Sequence, residues 1–298
     1  MSLLQQFQDL LLTGVEFGTL NVLSVLGLMI ALRFGGFPDL TIEGTIPISA
    51  AAAALALTAG MSPFESLCIA MLVGAAAGTL TAILHLLTGM SRLMASILMM
   101  TALYAVSLRA LKGSNLPLFQ YATWFANDAS WIGRFSWTAI IVIPIFVAVI
   151  LFLYTEFGLL LRATGENWGL VRKLGKPCWL YLVCTLALSN AFIGLSAGLL
   201  THYNRFADVG FGSGSIVTCL AALLLGEAIV LPTSVEKQVL AVAVGSIVYY
   251  TAFALALRLG LNPWDLKLAS GGFVLLAILL SRTYSAENKG HRIGCDPL

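Results

Sequence analysis

Apolar residues gather along this chain in long blocks separated by polar residues or by Gly and Pro. The blocks lie at residues 17–32, 45–60, 66–87, 93–111, 137–154, 178–200, 215–231, 239–257 and 263–281. A helix that crosses a bilayer needs about 20 mostly apolar residues, so each block predicts a membrane-crossing helix. The two polar interruptions of any length are 112–136 and 156–177, and the tail from residue 282 is polar. The pattern predicts an all-α polytopic membrane protein of about nine transmembrane helices, with residues 1–298 forming a single transmembrane domain.

Composition gives the same answer by exclusion. Of 298 residues, 59% are hydrophobic and 10% charged, with a mean hydropathy of +0.94. A soluble domain carries roughly a quarter charged residues, and a soluble chain this apolar could not cover its own surface. The net charge is +2, with neither a Lys/Arg block nor alternating basic and aromatic residues, so no nucleic-acid partner is expected. The five cysteines form no C-x-x-C pair and read as small buried hydrophobes. The start, MSLLQQFQDL, has no basic region, so the first span is expected to act as an uncleaved insertion signal.

Lys and Arg set an orientation. With nine spans, Arg33, Arg92, Arg162, Arg172, Lys173, Lys176, Lys237, Arg282, Lys289 and Arg292 share one face, against Arg109, Lys112, Arg134, Arg205, Arg258 and Lys267 on the other. The positive-inside rule makes the first face cytoplasmic. The N-terminus is then outside and the C-terminus inside.

An internal echo runs through the chain at an offset close to 170 residues. Phe37-Pro-Asp-Leu-Thr-Ile-Glu-Gly44 opens an Ala-rich block, and Phe206-Ala-Asp-Val-Gly-Phe-Gly212 opens the block at 215–231. In the nine-span topology these motifs start on opposite faces. That is an inverted repeat with halves at about 15–135 and 178–281, and transporters of this design bind solute where interrupted helices meet. Asp39, Thr41, Glu43 and Gly44 of the first motif, and Asp208, Gly210, Phe211 and Gly212 of the second, are the candidate pathway residues. Ionisable groups near membrane depth are costly and tend to line cavities or pair; helix N-caps at the interface are the other reading of the two aspartates. Gly74-x-x-x-Gly78 and Gly194-x-x-x-Gly198 match the spacing of helix-packing faces.

The interruption at 156–177 differs in kind. Arg162, Gly165, Glu166, Asn167, Leu170, Val171, Leu174 and Gly175 read as a short amphipathic helix between two Gly turns, with Glu166 and Asn167 capping its start and the three apolar residues on one face. A partner protein or a lipid surface could cover that face. No catalytic or metal site emerges: the chain has no G-x-x-x-x-G-K-[ST] and no H-E-x-x-H, and its three histidines are scattered.

Several segments carry a family resemblance. Asp39-Leu-Thr-Ile-Glu-Gly44 resembles the D-L-[ST]-V-x-G segment of branched-chain amino acid and ribose type ABC importer permeases. Residues 162–175 resemble that superfamily's R-A-x-G-x-N coupling segment, departing from it at Trp168-Gly169. Met99-Met-Thr-Ala-Leu-Tyr104, Leu108-Arg109, Ser114-Asn-Leu-Pro117, Phe206–Gly212 and Gly226-Glu227 look like permeases assigned to tryptophan and tyrosine import. The resemblance covers about residues 15–280. It implies a type II ABC importer-like permease in the cytoplasmic membrane, acting as a homodimer with a cytoplasmic ABC ATPase dimer and an external substrate-binding protein. It further implies an amino acid as solute, aromatic favoured, and no cofactor in this chain. The rival from another class is an ion- or proton-coupled secondary transporter, which needs no docking helix at 165–175.

Overall fold

Eight of the nine apolar blocks become helices of unequal length in the computed structural model, which describes residues 3–125, 131–258 and 271–272. In chain order these are α1 (Leu3–Met29, continued by a π-helical turn, Ile30–Phe34), α2 (Ile42–Thr58), α3 (Pro63–Thr88), α4 (Arg92–Leu111) and α5 (Trp131–Tyr154). Two short helices, α6 (Glu156–Glu166) and α7 (Trp168–Lys173), precede α8 (Cys178–Asn204), α9 (Ser215–Val230) and α10 (Val235–Arg258). The ninth block, 263–281, lies outside the described residues apart from Gly271 and Gly272.

Of the eight helices that arise from apolar blocks, six are long and apolar enough to cross a membrane. The exceptions are α2 and α9, with 17 and 16 residues. At 1.5 Å per residue each is about 25 Å long, short of the roughly 30 Å hydrocarbon core. Their starts lie next to the two repeated motifs.

Local chemistry fixes the helix ends. Ser62 and Glu65 form a reciprocal capping box at the start of α3, with Pro63 in its first turn, and left-handed Gly89 closes its end. Packing then rests on small residues. Helices α3 and α8 pack the most intimately, because Gly74 and Gly78 sit on the backbone of Leu186, Asn190 and Gly194, where a Cβ would collide with carbonyl oxygens. The two G-x-x-x-G faces expected from spacing thus belong to one contact. The hydroxyls of Ser189, Ser196 and Ser246 donate to the carbonyls of Gly27, Leu20 and Gly18, each at 2.7 Å, and tie α1 to α8 and α10. Such bonds hold helices together where lipid offers no competing donor. The outer faces of α3, α4 and α5 expose Leu72, Leu80, Leu98, Ile140, Ile143 and Leu151, as an apolar solvent requires.

The two ends of the bundle differ. At one end Glu16 is buried, accepting from Tyr203 Oη at 2.6 Å and Arg134 Nε at 3.2 Å. His202 accepts from the Trp124 amide and bonds Ser66 Oγ there. A two-stranded ribbon at the same end, absent from the sequence expectation, pairs β1 (Asn115–Pro117) antiparallel with β2 (Phe206–Asp208). At the other end Arg33 forms a two-point ion pair with Glu227, its Nε–Oε1 distance 2.8 Å. Arg92, Lys237 and the α6–α7 pair share that end.

Replacing Gly78 with Leu should separate α3 from α8, because overpacking of this kind costs about 1–3 kcal/mol or more. The purified variant should unfold several degrees lower or run aggregated on gel filtration. Gly113→Ala, with open space at the Cβ position, should match the wild type. Equal stability of the two variants would contradict the packing described.

Candidate functional site

Past Arg33 the chain leaves helical geometry through Gly36, left-handed at φ +57°. Phe37 then plugs an apolar pocket formed by Ala31, Ala82, Leu182, Leu186 and Trp168. Asp39 follows, 1% exposed. Its Oδ1 accepts from the Thr41 amide at 2.8 Å, and its Oδ2 accepts from Asn190 Nδ2 at 2.7 Å. Asn190 Oδ1 accepts from Thr45 Oγ1 at 2.7 Å, and Thr41 and Thr81 hydroxyls meet at 3.2 Å. Asp39 is therefore not the α2 N-cap, a position held by Thr41, and it does not line the cavity described below. It is a buried anchor that fixes the start of α2 to the middle of α8. Asn190 is a site residue that the sequence reading missed. Its signal was a carboxamide in an otherwise apolar block, where an unpaired polar group would be costly.

The second motif folds against the first. Asp208 caps the 3-10 turn Val209–Gly212 by accepting from the Gly210 amide at 2.5 Å, so the capping reading holds for this aspartate. Phe211 packs on Phe206, their ring centres 5.3 Å apart. Gly212 lies on the Glu43 carbonyl and the Pro47 ring with no room for a side chain. Gly214, left-handed at φ +80°, opens α9 and donates its amide to Glu43 Oε1 at 3.2 Å. The starts of α2 and α9 therefore converge on one carboxylate. A helix N-terminus carries partial positive charge and unpaired amides, so two of them favour negative charge between them. From this point α2 runs toward the Glu16 end, its Ala53 carbonyl accepting from Ser66, while α9 runs toward Arg33 at its Glu227. Gly44, on the other side of α2, packs against Met100 and Leu103.

Beside this convergence lies a cavity of about 280 Å³ lined by Glu43, Met100, Thr101, Tyr104, Val209 and Ser213. It opens toward the outer side of α4, where Tyr104 is 47% exposed. Met100, Thr101 and Tyr104 entered the sequence reading only within a family-like segment. Their i, i+1, i+4 spacing on an apolar helix does not distinguish a cavity wall from a lipid-facing stripe.

The 156–177 interruption is two helices, which corrects the expected single helix between Gly turns. Gly165 is no turn: it lies in the last turn of α6, against the Phe34 carbonyl, where a Cβ would not fit. Arg162, partly buried, and Glu166 belong to α6, and the break falls at Asn167, whose Oδ1 accepts from the Leu170 amide at 3.1 Å and caps α7. Gly175, left-handed at φ +69°, does end the segment. Leu170 and Leu174 are 51% and 59% exposed, whereas Val171 is fully buried. Side chains four apart share a helix face, and the next residue points about 100° away, which turns Val171 inward to hold α7 to the bundle. Trp168 sits under the Arg92 guanidinium at 6.0 Å, and Arg92 donates to the Gly36 carbonyl at 2.5 Å. Among the described residues no group of His, Cys, Asp and Glu could hold a metal ion.

The Asp39–Asn190 pair predicts a ranking. Asn190→Ala leaves a buried carboxylate oxygen without its donor, about 1–3 kcal/mol or more for a charged group. Ser189→Ala on the same helix removes one neutral bond, about 1 kcal/mol. The thermal midpoint should fall further for Asn190→Ala; an equal or smaller fall would show that the pair carries no special weight.

Comparison with known proteins places this arrangement. Residues 10–280 match the family described as branched-chain amino acid transport system / permease component. The tyrosine transport system permease protein of Clostridioides difficile (strain R20291) is 32% identical over 257 residues, covering 85% of each chain. The uncharacterized protein RP368 of Rickettsia prowazekii (strain Madrid E) is 29% identical over 280 residues, covering 92% of this chain and 97% of its own. No solved structure matches. A family match across nearly the whole length, laid over a bundle of membrane-crossing helices, makes this chain a multi-pass member of the branched-chain amino acid transport system permease family.

Proposed function

We propose that this chain is the permease subunit of an ATP-binding-cassette importer that carries an amino acid, aromatic in preference, across the cytoplasmic membrane. It works as a homodimer with a cytoplasmic ATPase dimer and an external substrate-binding protein. The observation that carries the reading is the convergence of two short-helix starts on Glu43 beside an open cavity. Transporters put their sites at such interruptions, and α2 and α9 leave this point in opposite directions, as an inverted repeat would have them do. The half-buried Glu43 carboxylate does not suit lipid, and a second copy closing on the α2–α4 side would shelter it. The tyrosine permease relative supports an aromatic solute.

Coupling runs through α6–α7. Leu170 and Leu174 offer an exposed apolar pair to an ATPase groove, while Val171, Gly165 and Trp168 bind the same segment to the bundle. Gly165 and Arg92 both bear on the 34–36 backbone, which continues through Phe37 and Asp39 to Glu43. A push on α7 therefore reaches the convergence point through packed backbone. The Lys/Arg-rich end that holds α6–α7 is the cytoplasmic one in this reading, with the N-terminus outside.

Two measurements check these assignments. Replacing Leu170 and Leu174 together by Asp should remove about 2 kcal/mol or more of contact energy per anchor, so that the ATPase no longer co-purifies and substrate-stimulated hydrolysis in proteoliposomes is lost while the permease stays folded. An undiminished stimulation would refute the docking face, and wild-type uptake without any ATPase would favour an ion-coupled carrier. Reporter tags near Glu16 and after Glu287 should report opposite faces of the membrane; the same face for both would refute the odd span count.

A further inference from the structure

We infer that the cavity at Glu43 is a recognition subsite through which the permease itself reads its solute: Glu43 and Thr101 take a primary ammonium, and Tyr104 with Met100 hold the attached ring. The inference rests on the importer reading above and adds to it a division of labour, because the membrane subunit would select independently of the external binding protein.

The polar groups of the cavity point to a cation. Glu43 commits only Oε1, to the Gly214 amide at 3.2 Å, and its Oε2 has no partner among the described residues. The Thr101 hydroxyl donates to the Leu98 carbonyl at 2.8 Å, so toward the cavity it presents only lone pairs. No Lys, Arg or His lines the space. Glu43 and Thr101, with no cation beside them, suit a compact donor with several N–H bonds, and an ammonium brings three, while the Ser213 and Tyr104 hydroxyls complete the polar lining. A ligand carboxylate has no cation to meet in this lining and would face the mouth, away from Glu43.

The apolar walls point to the rest of the ligand. Tyr104 puts a half-exposed aromatic ring in the lining, and rings attract both cations and other rings. Met100, one turn earlier on the same face of α4, adds a flexible, polarizable thioether that adapts to flat partners. At about 280 Å³ the space lies near the lower limit of small-molecule sites, about 300–1,000 Å³. One amino acid fits this space.

The test uses the permease–ATPase complex in nanodiscs without binding protein, and direct binding of labelled tyrosine and labelled tyramine. Wild type should bind both, with tyramine retained because the ligand carboxylate is not read. 3-(4-Hydroxyphenyl)propionate, which keeps the ring and carboxylate but lacks the amine, should not displace either. Glu43→Gln should weaken both by about tenfold or more, with an unchanged unfolding midpoint because the amide oxygen still accepts from Gly214. Thr101→Val removes an acceptor without touching that bond and should weaken binding by a smaller factor; it decides the matter if Glu43→Gln does not fold. Tyr104→Leu should erase the preference for tyrosine over leucine. Wild-type affinity in Glu43→Gln and Thr101→Val, or displacement by the propionate as strong as by tyramine, overturns the subsite. Absence of binding by a wild-type complex that still imports amino acid with its binding protein also overturns the subsite and leaves the importer reading standing. A wild type that imports no amino acid with all partners present overturns the importer reading itself.

Discussion

A helix that begins partway across a bilayer exposes the amides of its first turn where lipid offers no acceptor. Two helices too short to cross a bilayer, α2 from Ile42 and α9 from Ser215, have their starts brought together so that the first supplies an acceptor to the second. Glu43 supplies the acceptor for Gly214, and the bare backbone of Gly212 lets the second turn lie directly on the first. A side chain at 212 would hold the two helix starts apart and leave the Gly214 amide unpaired. The cavity, the placement of α4 against Gly44, and the opposite directions of α2 and α9 all follow from this one contact.

The contact is held from behind by a second polar unit. Asp39, Asn190 and Thr45 form a closed chain of hydrogen bonds between the approach to α2 and the middle of α8, and Thr41 and Thr81 extend it to α3. Helix α8 is itself bound closely to α3 through glycines and to α1 through serine hydroxyls. The start of α2 is thus fixed to the most tightly packed part of the molecule, while its other side looks onto the cavity. A rigid back and an open front suit a site that must present a carboxylate at one position.

The same start is reached from the charged end through backbone alone. The π-helical turn closing α1, the left-handed Gly36 and the buried Phe37 make a short, packed strap between Arg33 and Asp39. Gly165 of α6 and the Arg92 guanidinium press on that strap, and Trp168 of α7 packs on both Arg92 and Phe37. The departure Trp168-Gly169 from the superfamily's usual sequence therefore has a structural use, since the indole is the surface on which Arg92 rests.

Hydropathy alone determined the membrane class and the positions of eight described helices, because length and apolarity decide whether a segment can leave water. Glycine and acidic punctuation, read as a repeat, marked the two segments that meet, and Asn167 was legible as the cap of α7 because capping is local chemistry. Only the tertiary structure decided what those segments face. In a membrane both the lipid side and the packed interior reward apolar residues, so periodicity cannot tell Leu170 from Val171, or Tyr104 at a cavity from Leu98 at the lipid. The pairing of Asp39 with Asn190, and of Glu43 with Gly214, joins residues more than 150 positions apart. No local rule connects such residues; their partners exist only once α2, α8 and α9 have packed, and burial then leaves each polar group the acceptor or donor that folding has placed beside it.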